Sequence, residues 1–164
     1  GLISRCFKVK DKKLMWPAFQ YYVMPIIMYC SQVWSPHLRK DIDDIERIQW
    51  RFTKSIKGLE NLHYQERLYR LNAITLDKRR IYADMLFVFK CLHNMTGCTL
   101  GDVGLSVTNS ITRASGVRIE QRMKCGTRFS QRCPSMWNKL PLSIVLSQNI
   151  SIFKKKLYKH LYTN

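Results

Sequence analysis

The sequence predicts a mainly α-helical protein: a helical bundle, followed by a small basic α+β tail that contains a short strand or hairpin and two helices. Apolar side chains recur every three or four residues over 41–58 and 76–95, which is the period of an amphipathic helix. Over 117–124, one strand face would hold Val117, Ile119, Gln121 and Met123 and the other Arg118, Glu120, Arg122 and Lys124, and this period of two indicates a short strand. A hydrophobic content of 46% is enough for a core and argues against general disorder.

The first element is an apolar segment over 14–38, which contains no Asp, Glu, Lys or Arg. Its length invites a transmembrane interpretation, but Pro17 and Pro25 interrupt it and Gln20 is polar. Proline suits the first turn of a helix and kinks or breaks a helix further in. We therefore expect a core helix that is kinked or broken at Pro25, and no membrane span.

The second element, over 41–58, has the clearest amphipathic pattern. Acidic residues crowd its first turns and lysines its last, which suits the helix dipole, and Gly58 is a natural stop. The arc predicted to face the core consists of Ile42, Ile45, Ile48, Phe52 and Ile56. The opposite arc consists of Arg47, Trp50, Arg51, Lys54 and Lys57. That arc can place cations on phosphates and an indole on a base; the alternative is an ordinary solvated face.

Two further helices are predicted before the tail. A short helix over 61–71 carries Arg67, and Thr75 can cap a longer helix from Leu76 to about Met95. The first turn of the longer helix holds a basic triplet, which the helix dipole disfavours. Phosphate contact is one reason to tolerate the triplet, and simple solvation is the other. The triplet consists of Lys78, Arg79 and Arg80, and the apolar face of the same helix of Tyr82, Met85, Leu86, Phe89 and Leu92.

The tail begins after a loop at about 97–110 that is rich in Gly, Thr and Ser. A helix is predicted from Phe129 to Leu140, where Pro141 stops it. Ser151 is expected to cap a last helix. This helix is predicted to turn Phe153, Leu157 and Leu161 inward and to distribute Lys154, Lys155, Lys156 and Lys159 around its surface.

The net charge of +17 is large and unevenly distributed. Residues 1–60 carry 11 basic and 6 acidic groups, net +5; residues 61–112 carry 6 and 4, net +2; residues 113–164 carry 11 and 1, net +10. Such a surplus repels itself unless a polyanion neutralises it. Nucleic acid is the first partner to consider and an anionic membrane surface the second, and the last third is the first place to look for the contact.

Residues that carry catalysis or hold a metal do not form a recognisable pattern. The acidic cluster over 41–44 lies at the start of a helix, so we interpret it as complementing the dipole rather than as the metal-binding carboxylates of a polymerase. Cys91, His93 and Cys98 lack the close cysteine pair of a zinc module. We predict no catalytic residue and no metal site, and we expect the six cysteines to be reduced thiols.

A series of short motifs runs through the chain in order and resembles one protein family. Tail motifs are Thr112-Arg113, Trp137-Asn138-Lys139-Leu140-Pro141 and Ser151-x-Phe153-Lys154. Earlier motifs are Leu2-Ile3-Ser4-Arg5, Val23-Met24-Pro25-Ile26 with Val33-Trp34-Ser35-Pro36, Ile45-Glu46-Arg47-Ile48-Gln49, Tyr64-x-Glu66-Arg67-Leu68 and Thr75-Leu76-x-x-Arg79-Arg80. Together they resemble the region that follows the palm in reverse transcriptases of non-LTR (LINE-type) retrotransposons, close to the jockey-like elements. One departure is Met28, where the family often has an acidic residue.

The resemblance implies that the parent protein nicks DNA and primes cDNA synthesis there with element RNA as template. This chain would be the thumb and C-terminal region, without the fingers, the palm with its Asp-Asp motif or the endonuclease, so the fragment itself would not polymerise. Any Mg²⁺ would belong to the palm, and no cofactor is expected here. Because the first residues look like the middle of an element, we expect a fragment of a longer, intracellular protein, nuclear or cytoplasmic.

On this interpretation the segments are a thumb-like helical segment over 1–60, a helical continuation over 61–98 and a basic C-terminal segment over 99–164. The expected partners are an RNA–DNA duplex or other nucleic acid and the palm domain. The residues expected to bind nucleic acid are Arg47, Trp50, Arg51, Lys54, Lys57, Arg67, Lys78, Arg79, Arg80, Arg113, Lys139, Lys154, Lys155 and Lys156.

Two other functions fit the same sequence. The chain could be a degenerate or domesticated helical module whose apolar helices pack against a protein partner, in which case it binds no duplex even at low salt. It could also be a basic protein that associates with anionic membranes. Flotation with anionic liposomes separates the membrane function from the other two.

Overall fold

The computed structural model describes residues 9–108, 117–121 and 128–163 and is mainly helical, as predicted. A π-helical segment, Phe19–Val23, joins the first two α-helices. The α-helices are α1 Lys12–Ala18, α2 Met24–Met28, α3 Ser31–Trp34, α4 Arg39–Lys54, α5 Tyr64–Arg70, α6 Leu76–Leu92, α7 Phe129–Asn138, α8 Leu142–Val145 and α9 Ile150–Thr163.

Packing divides the chain into two compact units. The first unit is Gly1–Ser31 with Pro36–Arg79, and the second is Gln32–Ser35 with Arg80–Asn164. The boundary between Arg79 and Arg80 therefore falls inside α6. The three segments predicted from motifs and composition are a different kind of division, because they do not follow contacts, and they stay a prediction.

The apolar segment at the start of the first unit is interrupted, but not at Pro25: the interruption is the π-helical segment Phe19–Val23, and Pro17 lies inside α1. Asp11 caps α1 by accepting a hydrogen bond from the backbone N–H of Lys13 at 3.4 Å, and the π-helical segment comes directly before the α2 helix, which has Pro25 in its first turn. Met15 and Phe19 are fully buried in the core. In the described ranges, no helix is long and apolar enough to cross a membrane.

Helix α4 begins two residues earlier than predicted, at Arg39, and also ends earlier, at Lys54. Gly58 adopts a left-handed φ of +83° in the turn that follows. This is a conformation that glycine adopts without steric cost. The predicted apolar arc is only partly right. Ile45 and Phe52 pack on the core and Ile56 is fully buried, but Ile48 is 43% exposed.

The second unit has its own core, formed by α6, α7, α8 and α9. The predicted apolar face of α6 is confirmed, since Met85 and Phe89 are fully buried. The ring of Phe89 stacks on Phe153 of α9 with centroids 4.1 Å apart, and Phe153 lies 6.0 Å from Trp137 of α7. Leu157 is also fully buried, as predicted for the last helix.

Two predicted local features of this unit need correction. The described residues contain no strand: Val107 and Ile119 form a single antiparallel bridge, and 122–127 lie outside the described residues. The last helix begins at Ile150, and Asn149 rather than Ser151 caps it, since its side-chain oxygen accepts from the backbone N–H of Ile152 at 2.9 Å.

The four described cysteines are free thiols with very different exposure. Cys30 and Cys98 are exposed, whereas Cys91 and Cys133 are buried. Burial raises the pKa of the Cys133 thiol, and the neighbouring Asp84 carboxylate raises it further. Because the thiolate is the reactive form, a buried thiol with a raised pKa reacts slowly. Cys6 and Cys125 lie outside the described residues.

We expect iodoacetamide to alkylate Cys30 and Cys98 in the native protein at pH 8 and to leave Cys91 and Cys133 unmodified until denaturant is added. Peptide mass spectrometry after a short native reaction measures the four sites separately. The same reaction in denaturant is the control, in which all four should react. Native modification of Cys133 at the rate of Cys98 would contradict the burial of Cys133.

Candidate nucleic-acid interface

Helix α4 presents its predicted basic arc to solvent. The side chains of Arg47, Arg51, Lys54 and Lys57 are exposed, and Trp50 between them is 39% exposed. Arg47 forms an ion pair with Asp44 at 3.0 Å. Within the part of the chain that the structure describes, no ion pair involves Arg51, Lys54 or Lys57. Arg51 and Lys54 on this helix, and Lys57 in the turn after it, are therefore the cations available to a polyanion.

The indole of Trp50 is already in contact with two cations. The Lys54 ammonium lies 5.1 Å and the Arg67 guanidinium carbon 5.2 Å from the ring centroid, both within the range of cation–π attraction. Lys54 is exposed and held by a flexible stem, so an incoming aromatic group can replace it. Arg67 is 2% exposed and cannot leave as easily.

Two shallow depressions lie beside Trp50, and both are lined by Trp50 and Tyr64. One, of about 370 Å³, also has Arg47 and Arg51 in its wall. The other, of about 540 Å³, has Lys54 in its wall. Carboxylates line both depressions too, Asp43 and Glu46 in the first and Glu60 in the second. Beside them, the indole offers aromatic surface next to an exposed cation on each side, Arg51 and Lys54. That combination is the one by which proteins bind single-stranded nucleic acid.

A hydrogen-bond network holds the aromatic wall in place. The Tyr64 hydroxyl donates to Glu46, and the other Glu46 oxygen accepts from the backbone N–H of Leu76 at 2.8 Å. Gln49, fully buried, donates to the Tyr64 oxygen at 3.1 Å and to the carbonyl of Ile74 at 3.0 Å. Burial and the bond to Glu46 raise the pKa of the Tyr64 phenol, so it stays neutral. The network fixes α5 and the start of α6 against α4.

Arg67 corrects one of the predicted phosphate contacts. Its Nη1 donates to the carbonyl of Trp50 at 2.8 Å and to the hydroxyl of Thr53 at 3.0 Å. The guanidinium carbon lies 5.3 Å from the centroid of Tyr64, between that ring and Trp50. A buried guanidinium with these bonds holds Trp50 and Tyr64 in position and does not reach a phosphate on the surface.

We expect Arg67→Met to lower the free energy of unfolding by about 2 kcal/mol, because it removes two hydrogen bonds made by a charged, enclosed donor. Urea unfolding measures the change. Arg70→Met is the matched control: its ion pair with Glu66, at 2.9 Å, is half-exposed, so its loss should cost less than about 0.5 kcal/mol. Equal costs for the two variants would contradict a structural role for Arg67.

The basic triplet at the start of α6 is less accessible to phosphate groups than predicted. Thr75 caps the helix as predicted, accepting from the backbone N–H of Lys78 at 3.3 Å. Lys78 and Arg79 are half-buried, and Arg80 is 2% exposed. The predicted phosphate contact of Arg80 is therefore wrong, because the Arg80 side chain is enclosed. Lys78 and Arg79 stay candidates.

The second unit carries the other predicted cations. From Gln121 to Asn164 the sequence contains no Asp or Glu, so nothing in that stretch offsets its charge. Lys139, Lys154, Lys155 and Lys156 are exposed, and the ammonium of Lys156 donates to the carbonyl of Ser143 at 2.6 Å. Arg113 lies outside the described residues.

The Trp137-Asn138 pair of the tail motif turns out to have a structural role that the sequence did not indicate. Asn138 accepts from the backbone N–H of Ile119 at 3.0 Å and donates to its carbonyl at 2.9 Å, and the Trp137 indole donates to the carbonyl of Val117 at 2.9 Å. These three bonds hold 117–121 on α7. The side-chain amide takes both backbone groups of Ile119, while Arg118 and Glu120 bond to Thr108 and Ser106 in the bridge.

The described residues contain no group of three or more His, Cys, Asp or Glu side chains arranged to hold a metal ion. Two acids at the start of α4 instead pair with neighbouring arginines: Asp43 with Arg39 at 3.1 Å, and Asp44 with Arg47. Comparison with protein-family models, with curated proteins and with solved structures finds no match to this chain.

Proposed function

We propose that this chain is a nucleic-acid-binding C-terminal piece of a retrotransposon reverse transcriptase and that it grips the RNA–DNA duplex during target-primed cDNA synthesis. The observation that carries the proposal is the exposed basic arc of α4, with Trp50 at its centre. The acid-free stretch from Gln121 onwards gives a second cationic surface. The ordered motifs supply the link to a reverse transcriptase, whose palm would provide the carboxylates and Mg²⁺.

Contact with a palm domain is part of the same proposal. Several large side chains of the first unit lie open to solvent: Tyr21 is 77%, Tyr22 68% and Ile26 77% exposed. A cluster of exposed aromatic and aliphatic side chains is typical of a surface that another domain covers. The same observation favours the second candidate function, a helical module that binds a protein partner. Binding to nucleic acid decides between the two.

The test is fluorescence anisotropy of the full chain with a labelled RNA–DNA duplex at salt concentrations between about 50 and 200 mM. We expect the logarithm of the association constant to fall linearly with the logarithm of the salt concentration, with a slope of about −4 or steeper, because each neutralised phosphate releases close to one counterion. A duplex of shuffled sequence is the control and should bind equally. Absence of binding at low salt would exclude this function and favour the protein-interaction module.

A further inference from the structure

We infer that the Trp50–Tyr64 site takes an unpaired nucleotide, so that the α4 surface recognises a single-stranded segment or a strand end and not only a duplex backbone. The inference rests on the proposed nucleic-acid binding and specifies its ligand. The indole of Trp50 is 39% exposed and lies between two depressions. Their walls include the cations Arg47 and Arg51 on one side and Lys54 on the other, together with three carboxylates: Asp43, Glu46 and Glu60.

The aromatic surface requires an unpaired base. A base inside a duplex has both faces covered by its neighbours, so an indole can stack only on a base that is unpaired or at an end. The Lys54 ammonium, 5.1 Å from the Trp50 centroid, occupies the place of such a base in the unbound protein. When the base enters, that ammonium is released close by, where it can pair with a flanking phosphate.

The surrounding side chains also hold the Trp50 ring in position. Arg67, itself enclosed, contacts the rings of Trp50 and Tyr64 with its guanidinium, and the Tyr64 hydroxyl is fixed by Glu46. The three carboxylates in the walls have partners already: Asp43 pairs with Arg39 at 3.1 Å, Glu46 bonds as described, and Glu60 accepts from the backbone N–H of Gly58 at 2.8 Å. The donors named here for Glu46 and Glu60 are neutral and do not cancel a carboxylate's charge, so the attraction for phosphate rests on the exposed cations Arg51 and Lys54.

The test compares two labelled duplexes of equal charge with the full chain. One has a 3′ overhang of ordinary nucleotides and the other an overhang of abasic nucleotides, so the two differ only in the bases that can stack. We expect the ordinary overhang to bind about tenfold more tightly, which corresponds to one stacked base. Trp50→Ala should reduce this ratio to about one, whereas Trp34→Ala, at a tryptophan that is 41% exposed, should leave it unchanged.

The outcomes separate the two proposals. If neither duplex binds, nucleic-acid binding itself fails. If both bind with the same affinity, or if Trp50→Ala keeps the tenfold ratio, only the unpaired-nucleotide site is overturned. A second measurement does not depend on how the Trp50 variant folds: a photoreactive base at the first unpaired position should crosslink the wild-type chain within 43–64, and a crosslink confined to other peptides would overturn the inference.

Discussion

Asp84→Ala is expected to lower the free energy of unfolding by about 3–5 kcal/mol, because it leaves a buried guanidinium without its counter-ion. The Asp84 carboxylate accepts from Arg132 Nε at 2.8 Å and from Nη2 at 3.2 Å, and the two side chains are 2% and 8% exposed. Arg132 Nη2 also donates to the carbonyl of Gln32 at 2.8 Å. The pair therefore fixes residues of the second unit that are far apart in sequence.

The direction of the effect can be tested further, because a second buried arginine, Arg80, interacts electrostatically with Asp84. Removing the acid leaves two enclosed cations, whereas Arg132→Met leaves the acid with one. We expect Arg132→Met to cost less than Asp84→Ala. Equal or reversed costs would mean that Arg80 does not help to balance the carboxylate.

A matched control for the buried pair is the exposed pair at the start of α4. Arg39 and Asp43 lie 3.1 Å apart, with side chains 84% and 48% exposed, and exposed pairs contribute about 0–1 kcal/mol. Asp43→Ala should therefore change the unfolding midpoint in urea very little. A loss of less than about 1 kcal/mol for Asp84→Ala would contradict the enclosed geometry of the pair.

Replacing the four lysines of α9 by glutamine is expected to weaken binding to an RNA–DNA duplex by about a hundredfold and to make the salt slope shallower by about 3. The physical reason is that these cations lie in a stretch with no acidic residue, so each of them can release a counterion from the duplex. Anisotropy titrations at several salt concentrations measure both quantities. The four residues are Lys154, Lys155, Lys156 and Lys159, all exposed.

Two sets of equal charge change serve as comparisons. Glutamine at Arg47, Arg51, Lys54 and Lys57 should weaken binding by a smaller factor, because Arg47 is already paired with Asp44. Glutamine at Lys10, Lys13, Arg39 and Lys40, which are exposed but outside both surfaces, should have the smallest effect. If all three sets weakened binding equally, bulk charge rather than a defined surface would account for the affinity.

Much of the fold follows from local pattern. The spacing of apolar residues predicts α4 and α6, the proline at 141 follows α7, and Thr75 caps α6 as its position suggests. The same reasoning places Arg47, Arg51 and Lys54 on an exposed arc. Helical period and capping depend on residues within a few positions of one another, so a single sequence carries the information.

Two arginines of the same helix, by contrast, differ completely in their exposure to solvent. Arg67 and Arg70 both belong to α5, yet the first is enclosed by Trp50 and Tyr64 and the second is exposed. Helical period does not identify Gln49 as fully buried, because its partner Ile74 lies 25 residues away. The Asp84–Arg132 contact joins residues 48 apart, and a pattern read over one or two turns cannot indicate it.

The sequence by itself determined that the protein is mainly helical, that it carries a strong positive charge concentrated towards its C-terminal end, and that α4 has a basic arc with a tryptophan in it. Only the tertiary structure decided which cations remain open to a ligand, which are buried, and that the Asn138 side chain bonds both backbone groups of Ile119. The reason is that helical period and charge are properties of short stretches of chain. The burial of a polar group depends on which distant residues supply its hydrogen bonds.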